Sequence, residues 1–190
     1  MDFVVGNRGK SPSRAQRTRG RTDLASDARG ATLVEFALVA APLIALLLAI
    51  LQTSFVYFAQ QSLETTAEAA SRILMTGQAQ QGGYNQAKFK QSVCGVLSIP
   101  LQCSNLMIDI TQAATFSGAN TGKPTITYDK YGNITNTWSY SPGGARTIVV
   151  LKLMYIWPVQ VGPLNFDLSN SGNGKRLLVA TSVFETEPYS

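Results

Sequence analysis

The chain has 190 residues, 16 Lys and Arg against 11 Asp and Glu, and a formal net charge of +5. That length allows one modest domain plus appendages. The absence of histidine removes the commonest general base and nitrogen metal ligand, along with every Ser-His or Cys-His pairing, so the sequence argues against catalysis.

The excess charge sits at the N-terminus. Arg8, Lys10, Arg14, Arg17, Arg19, Arg21 and Arg29 face only three acids within residues 1–30, whereas residues 31–190 are nearly balanced, with nine basic and eight acidic side chains. A basic stripe through the fold, as a nucleic-acid reader would carry, is therefore not present in the pattern, and no nucleic-acid partner is expected. An N-terminal nucleic-acid arm is the alternative use of the basic run, but it has no aromatic beyond Phe3.

Residues 36–51, FALVAAPLIALLLAIL, are uninterrupted apolar, and QTSFVYFA prolongs the run to Ala59. A bilayer span takes roughly 20 such residues. Ten of the sixteen are Leu, Ile, Val or Phe, each contributing about 0.3–0.6 kcal/mol on insertion. One acid at the rim, Glu35, does not reverse that sum, because even a charge at the helix centre costs only about 3 kcal/mol on the same scale. The basic cluster ahead of the span predicts a cytoplasmic N-terminus by the positive-inside rule, with the remainder of the chain outside an inner membrane. A cleaved secretory signal is the rival pattern. Its apolar core would be unusually long, and the nearest small-x-small site, Ala67-Glu68-Ala69, lies well beyond the run.

Past the span, Phe55, Ala59, Leu63, Thr66, Ala70 and Ile73 recur every three or four residues, while Gln60, Glu64, Glu68 and Arg72 take the other face. This predicts one helix from Thr32 to Thr76, near 65 Å long at about 1.5 Å per residue, with Gly77 as its stop. A simple anchor has no need of such a stalk. The expected organisation is a leader at 1–30, a membrane helix at 31–59, its extension at 60–77 and an extracytoplasmic strand-rich domain at 78–190.

In that last region YNQAKFKQSVCGVLSI reads as a short helix ending before Pro100. Cys94 and Cys103 enclose a short loop and are consistent with a disulfide in an oxidising compartment, whereas two sulfurs are too few to suggest zinc. Strands are predicted at 106–114, 125–128, 134–140, 147–157 and 177–185, with Val149, Leu151, Leu153, Tyr155 and Trp157 alternating onto one face. Gly- and Asn-rich joints favour antiparallel hairpins. The expected class is α+β, a long helix laid on a small antiparallel sheet. Tyr128, Tyr131, Trp138 and Tyr140, close to Lys123, Lys130 and Arg146, are read as cross-strand pairs rather than as a stacking platform for single-stranded nucleic acid or sugar. Asp109, Asp129 and Asp167 are too scattered for a metal site, and the sequon at Asn133 is taken as chance.

The segment RGATLVEFALVAAP raises its own question, an acid at the mouth of a membrane helix. A basic leader ending in Gly30, a small residue Ala31, a glutamate five residues after the glycine and an aromatic beside it resemble the class III signal of the type IV pilin superfamily. The pair Glu35-Phe36 is similar to the Glu-Tyr of the Flp and Tad group, with Phe in place of Tyr. Pro42 within the apolar helix, the two-cysteine strand-rich domain and the ending Glu187-Pro188-Tyr189 narrow the resemblance to TadE-like proteins, minor pilins or pseudopilins of the tight-adherence machinery.

The resemblance implies a non-enzymatic assembly component of a pilin-like fold. It implies cleavage between Gly30 and Ala31 by a prepilin peptidase, and partnership with other pilins or pseudopilins and inner-membrane assembly proteins. No cofactor or metal is expected. Cleavage would expose an ammonium on Ala31, which Glu35, one turn away or on a neighbouring subunit, would neutralise in a low-dielectric bundle. The plainer readings stay open: Glu35 as an acid in the first turn favoured by the helix dipole, Gly30 as a flexible joint, Pro42 as an ordinary membrane-helix proline that bends its helix. An uncleaved membrane-anchored binding module is the alternative function.

Overall fold

The computed structural model describes residues 30–171 and 174–189, so the basic run from Arg8 to Arg29 lies outside the described residues. Helix α1 spans Ala31–Met75, α2 Gln78–Gln81 and α3 Gln86–Cys94; strands β1, β2 and β3 span Leu106–Ala113, Ile148–Pro158 and Lys175–Glu185. The chain divides at Pro42 into one unit that ends there and a second that runs from Leu43.

In the first unit the residues from Ala31 on are helical, and their side chains are almost all exposed, Leu33 and Phe36 above 70%. No Gly interrupts residues 31–42, and Pro42 is the one helix breaker inside α1. Helix α1 taken whole, Ala31–Met75, is long and apolar enough to cross a membrane, and none of its most apolar window is buried.

In the second unit α1 turns from lipid-like to amphipathic. Val56, Ala59, Leu63, Ala67, Ala70 and Leu74 are buried at intervals of three or four, the apolar stripe of an amphipathic helix. The predicted face is right at its centre and rotated at its ends. Phe55 is 61% exposed and Val56 takes its place, while Ile73 is only partly buried beside Leu74. Both stripes keep the helical period of 3.6, so the difference is a shift of one residue in the same direction at each end.

The sheet has the order β1-β2-β3 with both pairings antiparallel. Leu106 stands opposite Tyr155 and Ala113 opposite Ile148; Ile148 stands opposite Glu185 and Pro158 opposite Lys175. Strand alternation then puts Val149, Leu151, Leu153 and Tyr155 on one face with Leu106, Ile108, Ile110, Leu178 and Ala180, and that face joins the α1 stripe in one core. The architecture is α+β, a long helix packed on a small antiparallel sheet, consistent with a pilin-like fold.

Two predicted strands are absent from the sheet. Residues 125–128 and 134–140 make only isolated pairings, Tyr128 with Ile134 and Ile110 with Tyr140. Two of their backbone donors go to side chains instead, Thr127 N–H to Asn136 Oδ1 at 2.7 Å and Ser139 N–H to Asp109 Oδ1 at 2.9 Å, and in the turn between them Tyr131 and Asn133 N–H donate to Asp129 Oδ1 at 2.8 and 2.9 Å. Short Asn and Asp side chains compete in this way with a ladder.

The second face of β2 is covered as well. Val150, Lys152 and Met154 are buried, and the Lys152 ammonium donates to the Gly122 carbonyl at 2.9 Å. A lysine in mid-sheet is tolerated there because its stem packs as hydrocarbon while its head reaches a carbonyl of the covering segment.

Helix α3 starts at Asn85, whose side chain accepts from Lys88 N–H at 2.8 Å. Phe89 and Val93 are its buried residues, and a disulfide between Cys94 and Cys103 ties its end to the turn that enters β1. Closing so short a loop restricts the unfolded chain, worth roughly 2–3 kcal/mol. The Cys94→Ser/Cys103→Ser protein is therefore expected to unfold at lower urea by about that amount, with an unchanged far-ultraviolet spectrum. An unshifted midpoint would remove the bridge from the stability of the domain.

Candidate functional site

The chemistry of the N-terminal motif falls on the first two turns of α1. Gly30 is a half-buried turn residue whose carbonyl accepts from Val34 N–H at 3.2 Å, so it already closes the first helical hydrogen bond. Ala31 opens α1, and its side chain and those of Glu35 and Phe36 are exposed. Residues four apart share a helix face. Glu35 is therefore one turn above the nitrogen that cleavage after Gly30 would free, on the same side.

At the other end of the helix, Gly77 adopts φ 73°, the left-handed turn that ends α1. The distant tail closes this end. Glu187 N–H donates to the Met75 carbonyl at 2.8 Å, satisfying one of the orphan acceptors of a helix terminus. The Tyr189 ring lies against Gly77, where an added methyl would collide with it. Thr186, 2% exposed, holds the approach, donating to Gly144 and accepting from Thr147 N–H. Of the tail motif, Glu187 and Pro188 are exposed and Tyr189 is half-buried. Gly77→Ala meets both a left-handed backbone and the ring, so it is expected to cost about 1–2 kcal/mol from the backbone alone. Adding Tyr189→Ala should recover part of any excess; denaturant midpoints of the single and double variants read it directly.

The aromatics between 128 and 140 are dispersed. Tyr140 packs on Phe89 with ring centroids 5.8 Å apart, Tyr128 lies beneath the Lys175 ammonium, Tyr131 is 77% exposed beside Lys130, and Trp138 borders a cleft with Lys90 and Leu106. They form neither a cross-strand ladder nor a continuous stacking platform. Burial, with Tyr84 nearby, pushes the Tyr140 phenol up. The acids build turns. The side-chain and backbone N–H groups of Asn133, then those of Tyr131 and Gly132, hold the Asp129 carboxyl below its usual range, and Ser169 does the same for Asp167. Among the described residues no three Asp, Glu or Cys side chains gather as metal ligands would.

The segment that carries the motif also carries the sequence similarity. Residues 30–72 match the family described as TadE-like protein. The TadE-like segment thus begins at Gly30 and runs through the apolar part of α1 into the face that packs on the sheet, and it includes Ala31, Glu35, Phe36 and Pro42. Cys94, Cys103 and the Glu187-Pro188-Tyr189 ending lie beyond it. No curated protein matches the chain, and no solved structure does.

The helix-end contact of Tyr189 was not legible in the sequence, although Gly77 as a helix stop and the tail as a motif each were. What joins them is a ring-on-glycine contact that has no periodic signature.

Proposed function

We propose that this chain is a non-enzymatic component of a Tad pilus system, a TadE-like minor pilin or pseudopilin that serves pilus biogenesis and surface adherence. The observation that carries the reading is the TadE-like match from residue 30 to 72, which starts at the glycine after which a prepilin peptidase would cut. The apolar, unburied first part of α1 supports membrane insertion, and the basic residues ahead of it support a cytoplasmic N-terminus with the domain in the periplasm. Cleavage leaves an ammonium on Ala31, and Glu35 neutralises it within the subunit or across a helix bundle. Inner-membrane assembly proteins and other pilins are the partners this reading requires, and incorporation in a pilus follows from it.

The test is the N-terminal residue of the protein recovered from membranes. Ala31 supports a processed pilin, and an uncut leader supports a membrane-anchored periplasmic binding or adaptor module instead.

A further inference from the structure

One apolar surface of the domain has no role in that reading. After β2 the chain forms a loop, residues 159–166, that lies along α1. Its Phe166 borders a cleft with Ala49, Ile50, Thr53 and Ser54, and Gly162 sits so close to Gln52 that an added methyl would fall 2.5 Å from its Oε1. Residues 158–166 read PVQVGPLNF and contain no charge; the first is Asp167. Val161 projects outward, 58% exposed.

We propose that this loop is a second membrane contact, seated in the outer leaflet of the bilayer that α1 crosses. The proposal rests on the reading of α1 as a membrane span. A hydrocarbon core of about 30 Å takes about 20 helical residues, so a span that begins at Phe36 ends near Phe55. The loop touches α1 before that point, and a bilayer that accommodates the helix takes the loop with it.

The loop is built for such a place. Irregular backbone in lipid is costly unless its polar groups find partners. Here Gly162 N–H donates to the Phe166 carbonyl at 2.7 Å, Phe166 N–H to Pro163 at 3.2 Å, and Val159 N–H to Gly174 at 2.8 Å; Pro158 and Pro163 have no N–H. Trp157 enters the loop half-buried beside Phe55, and Tyr57 and Phe58 are 68% and 57% exposed on α1. Aromatic side chains of this kind concentrate at the boundary between acyl chains and headgroups. With one helix alone a domain is free to tilt over the membrane; a second contact fixes its inclination.

The experiment uses the full chain in liposomes of phosphatidylethanolamine and phosphatidylglycerol. Nitroxides are placed singly at Val161→Cys, at Ile50→Cys within the span and at Tyr131→Cys, with the native disulfide kept oxidised. Collision with oxygen is compared with collision with a water-soluble nickel complex. The ratio at 161 is expected to be several-fold above that at 131 and close to that at 50. A ratio at 161 equal to that at 131, with 50 still in lipid, overturns the loop contact and leaves the span intact. A water-like ratio at 50 overturns the span and the loop contact together. Shielding of 161 from both agents, with dipolar broadening between labels, assigns the surface to a second copy of the chain and overturns the lipid assignment.

Discussion

A bulky residue at Gly30 is expected to leave the chain with its basic leader attached, whereas Glu35→Ala is expected to be cut normally and then to fail in assembly. The two events occur at neighbouring residues and depend on different physics. A prepilin peptidase acting as proposed would need close approach to the backbone after Gly30, which a side chain at position 30 would obstruct. Glu35→Ala leaves that bond and the apolar run untouched and makes insertion easier. It removes the carboxylate one turn from the new ammonium of Ala31, and breaking a buried ion pair from one side costs about 3–5 kcal/mol, at least about a hundredfold in association. Glu35→Gln keeps the shape without the charge and should behave as the alanine variant does. Gel mobility and N-terminal sequencing report cleavage, and sheared filaments report assembly. Glu35→Ala protein that is both cleaved and assembled would reduce Glu35 to an acid in the wet first turn of a helix.

The second large effect is expected from removing the helix from the domain. A fragment of residues 82–190 should show no cooperative unfolding, whereas residues 55–190 should melt as a unit. Without α1 the sheet face of Ile108, Ile110, Leu151, Leu153 and Leu178, all buried now, opens to water. Three strands with one uncovered apolar face are marginal in water. The point variant Leu63→Ala, at a residue with no exposed surface, should cost about 2–5 kcal/mol within the longer fragment. Equal melting temperatures for the two fragments would show that the sheet does not depend on the helix.

Periodicity carried much of the fold. The α1 stripe and the positions of β1, β2 and β3 were legible because α1 and β1 bury a repeating face and β2 and β3 are runs of strand-forming apolar residues; the buried stripe of α1 moved from Phe55 to Val56 and from Ile73 to Leu74, and the strand bounds by one or two residues. Residues 125–140 misled because Thr, Ile, Tyr and Trp favour strands only where a ladder partner is in place, and there Asn136, Asp129 and Asp109 capture the donors first. The burial of Lys152 was not legible either. A lysine alternating with apolar neighbours reads as the wet side of a sheet, and the length of chain between β1 and β2 was the one sign that something returns to cover it. Gly30, Ala31, Glu35 and Phe36 stood out as a local motif, which needs no knowledge of folding, whereas the uncharged loop after β2 comes into view only when its place along α1 is known.

The contact of Glu187 and Tyr189 with the end of α1 bears on the order of events during folding. Synthesis runs from the helix toward the tail, so α1 can form before the strands that cover Ala59, Leu63 and Ala70 have emerged. Pairings between residues so far apart in sequence are slow to form. Through that interval the small-residue face has no cover from its own chain. The tail reaches Met75 and Gly77 only after β3 has emerged, which makes its contacts there a seal on a helix end whose sheet is already available.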